Sequence, residues 1–376
     1  EVPSIVVVGV ESAGKSTLLS AIVGLPLTHT HSKTGTRCPV RYRLRYGQDA
    51  QDPQVKLQGA EIVAKLLPEL VQNHMESLGS GFTEKTLDVE ITSKHVPDLE
   101  LIDMPGIITN PNERGDEKLQ AQEVLRIQAK FIRSRDTSIV AVVKCTERFK
   151  TIGDFAFLDE VATKPGLSDL APRPDWRSHV LVVANRLNQQ TQLWASEDAN
   201  AYFAEAREAA QAYKGIFFVA LRPPNLKINP DKGSYEDKKH YYEVLQESEK
   251  QWFEDLKRDL SNQSSRQHWK EQNDRMFGLA TIKTIIVEMW REGFVSKLPL
   301  LSNKMQTERK RSKQRSEELQ EKLRLVDLKF LRQKMTEFLA DFVHQYQALV
   351  TGESVKDLRG KDVTTYKLDR KHSYDP

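Results

Sequence analysis

The chain has 376 residues, 39% hydrophobic and 29% charged, which is enough for one large globular domain plus an extension and excludes disorder over most of its length. A formal net charge of +3 gives no strongly basic field, which argues against nucleic acid as a partner. The longest apolar runs, SIVVVGV and IVAVV, are strand-length and far short of the roughly 18 residues a spanning helix needs, so a soluble chain is expected.

The chain starts at Glu1, directly before a strand, with neither an initiator Met nor a signal peptide, and reads as a trimmed fragment. Up to about residue 260, short Val/Ile/Leu-rich runs alternate with amphipathic stretches. That pattern predicts an α/β fold with a mainly parallel central sheet flanked by helices. Predicted strands are Ser4 to Val10, Val40 to Tyr46, Leu87 to Ile91, Leu99 to Asp103, Thr137 to Lys144, His179 to Ala184 and Ile216 to Leu221. His29 and His31 lack Cys or carboxylate neighbours and read as loop residues, while Cys38 and Cys145, without CxxC spacing, support neither a disulfide framework nor zinc and suit a reducing compartment. After Tyr235 long helices take over. Between Thr281 and Leu349 the internal breaker is Pro299, where two helices are expected to meet at a hinge, with a further break near Val326 and Asp327. The basic run ERKRSKQR, Glu308 to Arg315, reads as a solvated helix face.

The strongest signal is VVVGVESAGKST, a strand followed by Gly9-x-x-x-x-Gly14-Lys15-Ser16 and a helix, the context a phosphate-binding loop requires. Its glycines let successive N–H groups, from Glu11, Ser12 and Ala13 through Thr17, point at phosphate oxygens. Lys15 adds positive charge near the β- and γ-phosphates, and the Ser16 hydroxyl can ligate Mg²⁺. LELIDMPGI then places Asp103 at a strand end and Gly106 three residues on. The Asp would hold Mg²⁺ through water, and the glycine N–H would sense the γ-phosphate. In SKTGTRCPV, Thr36 is the natural candidate to complete the Mg²⁺ shell and hold the attacking water. Finally VVANRLNQ ends a strand where a guanine-binding Asn/Thr-Lys-x-Asp would stand, with Asn185 fitting and Arg186 and Asn188 departing.

Together GVESAGKST, TGTRCPV, LIDMPGI and VVANRLN, followed by a helix carrying LPLL, resemble the dynamin superfamily of large GTPases over nearly the whole chain. The separation of 67 residues between Thr36 and Asp103 agrees with the long insertion of that family. The resemblance implies GTP hydrolysis to GDP and phosphate with Mg²⁺, with Ser12, Lys15, Thr36 and Gly106 as catalytic positions. It also implies a GTPase domain over 1–298, a bundle signalling helix over 299–325 beyond the Pro299 hinge, and the start of a truncated stalk over 326–376. Implied partners are a second copy through the GTPase domains, higher oligomers through the stalk, and a membrane surface reached indirectly. GIFFVALRPP and IKTIIVEMWREGFVSKLPLL look most like the plant and algal dynamins of chloroplast and peroxisome division, which implies work at the cytosolic face of an organelle such as the chloroplast.

Several positions depart from that family. Dynamins hold a monovalent cation with the P-loop Ser, matched by Ser12, and with glycine carbonyls whose positions fall on His31 and Lys33, which puts the cation in doubt. Lys33 either supplies the missing charge or is a surface lysine. The Gln that aids dimer-dependent catalysis becomes Glu11. An Asp at position 188 would accept two N–H bonds from guanine. Asn188 offers one acceptor and an amine that faces guanine's own donor, a loss of roughly 1.5 to 3 kcal/mol, and it suits xanthine better. Arg186 can lie over the base in place of Lys, Asn185 can bridge toward the P-loop, and the last base-binding segment survives only as Leu221-Arg222. Two other readings therefore stand beside the mechanochemical GTPase: a low-activity or pseudo-GTPase scaffold in a division ring, and an NTPase of relaxed base specificity.

Overall fold

The computed structural model describes residues 3–28, 35–48, 50, 52–108, 116–145, 154–191, 196–230, 232–262, 271–351, 355–356 and 362–363. The elements in chain order are β1 (Ser4–Val8), α1 (Lys15–Val23), β2 (Val40–Tyr46), β3 (Gln54–Leu57), β4 (Ala60–Ile62), α2 (Leu67–Ser77), β5 (Leu87–Ser93), β6 (Leu99–Asp103), α3 (Glu117–Ile132) and β7 (Thr137–Lys144). They continue with α4 (Asp154–Thr163), β8 (Val180–Asn185), α5 (Leu187–Gln190), α6 (Ser196–Ala210), β9 (Gly215–Phe218), α7 (Tyr235–Asn262), α8 (Leu279–Val326) and α9 (Leu328–Thr351).

The nine strands form one sheet in the order β4-β3-β5-β2-β6-β1-β7-β8-β9. From β6 through β9 every neighbour is parallel, whereas β2 runs antiparallel to β6, and β3 is antiparallel to both β4 and β5. The α/β expectation therefore holds. All seven predicted strands form, with ends displaced by up to three residues. Val10, expected inside the first strand, makes only an isolated bridge to Ile107.

In β1, Ser4 is followed by four β-branched residues, and all five are buried. Because side chains alternate along a strand, Ile5 and Val7 enter one core with Leu18 and Ile22 of α1, Leu245 of α7 and Ile286 of α8. Val6 and Val8 enter the other, with Ile132 of α3, Val161 of α4 and Phe203 of α6. The sheet is thus covered on both faces, and β1 lies in its interior beside the central strand β6. In β2 the alternation puts Val40, Tyr42 and Leu44 inside, and Arg41 and Arg43 on the opposite face, where they pair with Asp88, Glu90 and Glu100 of the flanking strands.

The chain divides into two compact units, Glu1–Lys297 and Leu298–Pro376, and α8 contributes to both. The expectation of two helices meeting at Pro299 is corrected, because the helix runs unbroken from Leu279 to Val326 with the proline inside it. A proline removes one N–H from such a ladder and can bend it without ending it, and the strong helix formers on either side carry the winding through. The later break is present: Asp327 separates α8 from α9 and accepts the Lys329 N–H at 2.8 Å. No helix among the described residues is long and apolar enough to cross a membrane.

On the α6 side of the sheet, Phe203 packs edge-on against Phe218 and Phe277, with centroids 5.2 and 4.9 Å away. Phe203→Ala is expected to cost about 3 to 5 kcal/mol of stability, read as a shift in the urea unfolding midpoint at unchanged slope.

Candidate active site

The loops that leave the C-terminal ends of β1, β6 and β8 gather at one edge of the sheet, the edge where open parallel sheets place their ligands. The first loop, Gly9 to Gly14, is shaped by left-handed backbone at Ser12 (φ 60°) and Gly14 (φ 101°). A Cβ on Gly9 would lie 2.2 Å from the Val142 carbonyl oxygen of β7, so only glycine lets the loop start this close to the sheet. α1 then begins at Lys15, and its first residues, Lys15, Ser16 and Thr17, line the cleft.

Lys15 is buried, and its ammonium donates to the carbonyls of Gly9 (3.0 Å) and Val10 (3.1 Å). Ser16 Oγ donates to Asp103 Oδ2 at 2.8 Å, and Thr36 Oγ1 reaches the same oxygen at 3.5 Å. Two hydroxyls far from Asp103 in the chain thus converge on its carboxylate. Asp103 is fully buried. Burial pushes its pKa up, while Lys15, Ser16 and Thr36 pull it back. Its second oxygen, Oδ1, is buried with no hydrogen-bond partner among the described residues. A hydroxyl, a hydroxyl and an unsatisfied carboxylate oxygen form the hard oxygen set that Mg²⁺ prefers, so Ser16, Thr36 and Asp103 fit that ion. When bound, it supplies positive charge across the phosphate oxygens.

Gly106 lies against Glu11. A Cβ there would stand 2.9 Å from Glu11 Cα, and the two loops are tied by Glu11 N–H to Ile107 O (3.1 Å) and Ile107 N–H to Gly9 O (3.2 Å). Gln128, a buried residue of α3, donates to the Pro105 carbonyl at 2.8 Å and holds this loop from behind. The resulting cleft, of about 320 Å³, is lined by residues of all three motifs together with Arg37, Gln72, Met75 and Gln120. The sequence reading assigned no role to Arg37, Gln72 or Gln128. For Arg37 the available signal was its place directly after Thr36. Its Nε is buried without a hydrogen-bond partner among the described residues.

A second cavity of about 360 Å³ adjoins the first across Ser12, Gly14 and Thr17, and Asn185, Arg186, Asn188, Leu221 and Arg222 line its far side. Asn185 Nδ2 donates to the Ala13 carbonyl (3.1 Å), and its Oδ1 accepts the Arg186 N–H (2.7 Å). Arg186, in left-handed backbone (φ 69°), donates from its guanidinium to the Ser12 carbonyl at 2.9 Å. Both side chains therefore brace the phosphate loop. His31 and Lys33 lie outside the described residues.

Behind the second cavity, Glu249 of α7 is buried and accepts the N–H of Ala220 (2.8 Å) and of Leu279 (2.7 Å), joining the segment after β9 to the start of α8. Tyr241 of the same helix donates to the Leu221 carbonyl. Burial lifts the Glu249 carboxyl to about 7, with the two N–H groups and Lys283 opposing the rise.

A mainly parallel sheet that brings a G-x-x-x-x-G-K-S loop, a D-x-x-G loop and an N-R-x-N loop to one edge defines a P-loop domain of the GTPase class. More narrowly, residues 5–184 are similar to the Dynamin family. Among curated proteins the chain is similar to the interferon-induced GTP-binding protein Mx of Perca fluviatilis, 30% identical over 186 residues that cover 44% of this chain and 61% of that protein. It is also similar to interferon-induced GTP-binding proteins Mx1 of Oncorhynchus mykiss (30% identical, 44% of this chain, 30% of that protein) and of Phoca vitulina (31%, 44% and 28%). The chain therefore spans less than two thirds of the length of these relatives.

Gly106→Ala is expected to force the second loop off the first and to weaken nucleotide binding at least tenfold, measured by equilibrium titration, with a stability loss of about 1 to 3 kcal/mol. For Glu249, a folded pKa near 7 lies above the unfolded value of 4.5, so the folded state holds the extra proton between them. Stability contributed there is full below about pH 4.5 and is lost as pH rises through 7, by at most about 3 kcal/mol. Glu249→Gln, which does not titrate, is expected to flatten that part of the unfolding profile measured from pH 4.5 to 8.

Proposed function

We propose that the chain hydrolyses GTP to GDP and phosphate in a Mg²⁺-dependent reaction. The observation that carries this reading is the meeting of Ser16, Thr36 and Lys15 around the buried Asp103 carboxylate, one oxygen of which has no partner among the described residues. In this reading the N–H groups of Ala13 to Thr17 and the Lys15 ammonium stabilise charge on the γ-phosphate, and Thr36 and Gly106 position the attacking water. Lys15 would exchange its two loop carbonyls for phosphate oxygens on binding. Apart from Glu11, no described side chain lining the cleft is a carboxylate or imidazole that could act as general base, so in this reading rate enhancement comes from positioning and charge.

The reading extends to self-assembly: a second copy docking through the GTPase domain would complete the site, oligomers would form through the helical unit, and the stroke would pass along α8 near Pro299 to remodel an organelle membrane from its cytosolic side. That extension is supported by the family match and by the helical segment after residue 298. Its narrowest form, chloroplast division, rests on the likeness of residues 215–224 and 282–301 to plastid dynamins. The relatives named above are interferon-induced GTP-binding proteins and do not bear on plastids.

One observation favours a second reading, a low-activity scaffold: Glu11 places a carboxylate in the phosphate cleft, where it opposes the γ-phosphate charge. Turnover decides between the two. GTP hydrolysis per molecule is expected to rise with protein concentration, to need Mg²⁺, and to fall at least a hundredfold in Lys15→Ala. Flat, undetectable phosphate release alongside intact GTP binding would favour the scaffold.

A further inference from the structure

The second cavity has a property that the motifs could not reveal. A carboxylate missing from one loop can be supplied by another, but among the described residues no Asp or Glu lines this cavity. Its charged side chains are Arg186 and Arg222. Asn185 is occupied with the Ala13 carbonyl and the Arg186 N–H, and Arg186 is turned to the Ser12 carbonyl. Asn188, half-buried on the wall beside the exposed Gln189, carries both a donor and an acceptor that a purine edge could meet.

We infer that this pocket selects a purine nucleoside triphosphate with a hydrogen-bond acceptor at C2, a xanthine nucleotide, over one with an amine there, and that Asn188 sets the preference. The inference rests on the nucleotide-hydrolase reading above and concerns the same site. Xanthine presents an N1–H donor beside an O2 acceptor. The Asn188 amide answers both, Oδ1 accepting from N1–H and Nδ2 donating to O2. Guanine presents two adjacent donors, and whichever way the amide is turned, one of its N–H groups faces a guanine N–H. Hypoxanthine has one donor and only a C–H at C2, so it gains one bond and meets no opposed donor. The expected order of affinity is xanthine, hypoxanthine, then guanine. One matched pair in place of one opposed pair sets the ends of the series about tenfold apart. The arginines reinforce that order, since they favour an oxygen-rich base over one with a further amine.

The test is equilibrium binding of ribose-labelled XTP, ITP, GTP and ATP to the full chain with Mg²⁺, which needs no turnover. The unaltered protein is expected to bind XTP about tenfold more tightly than GTP, with ITP between them. Asn188→Asp should reverse the order, because a carboxylate accepts both guanine donors and repels the xanthine oxygen. If that variant does not fold, Asn188→Ala serves instead, and the difference between XTP and GTP should collapse. Equal or tighter binding of GTP by the unaltered protein overturns the inference, as does a preference for ATP. A preference for XTP that survives both substitutions overturns the assignment to Asn188. Should none of the four nucleotides bind, the hydrolase reading falls and takes this inference with it. Binding of all four with GTP in front would leave the hydrolase reading standing alone.

Discussion

A carboxylate with no access to water and one oxygen left unanswered is costly to bury, and Asp103 is such a group at the C-terminal end of β6. The chain meets that cost with a hydroxyl from the start of α1, a hydroxyl from the segment before β2, and the nearby Lys15 ammonium, and it leaves room for a cation. These groups come from two separate parts of the sequence, the start of α1 and the segment before β2. The sheet order makes their meeting possible: β1 lies between β6 and β7 and in register with both, so the loops after β1 and β6 emerge side by side. Buried Val and Ile on both faces of β1 fix that register, because a slip by one residue would exchange its two cores.

Close backbone packing follows from the same convergence. Gly9 touches β7, Gly106 touches Glu11, and Gly14 stands where a Cβ would fall 2.3 Å from Asn185 Nδ2. The phosphate loop is therefore clamped on both sides, by the D-x-x-G loop and by the segment after β8. Asn185 and Arg186 both spend their hydrogen bonds on its carbonyls, at Ala13 and Ser12. This separates two tasks that a nucleotide site could combine. Asn185 and Arg186 brace the phosphate loop, and in the proposed reading base selection is left to Asn188 and the segment around Leu221 and Arg222. A change at position 188 can then alter the preferred base without disturbing the phosphate cleft.

The base segment is in turn anchored to the helices. Through Glu249 and Tyr241, α7 holds Ala220 and Leu221 from behind, and the same Glu249 caps the first N–H of α8. One buried side chain therefore ties the segment after β9 to the root of the 48-residue helix.

Much of this was legible in the chain. Residues that act on near neighbours reveal themselves locally: β-branched runs mark strands, the spacing of Gly9, Gly14, Lys15 and Ser16 fixes a loop geometry, and Asp103 followed by Gly106 marks the second loop. The β3–β4 hairpin was not foreseen, because its strands hold only four and three residues and its turn uses Gln58 and Gly59 at positive φ, a weaker signal than Asn-Gly. Pro299 was read as a break, although a proline alone does not overcome the helical preference on both sides of it. The roles of Gln128 and Glu249 had no local signature, since each depends on a partner that only the fold brings near. The sequence by itself determined the class of domain, the phosphate loop and the altered base motif, because those are contiguous patterns. Only the tertiary structure decided that Asp103 is left with an unanswered oxygen and that no described carboxylate takes the place of an Asp at position 188, because both facts concern which distant groups share one enclosed space.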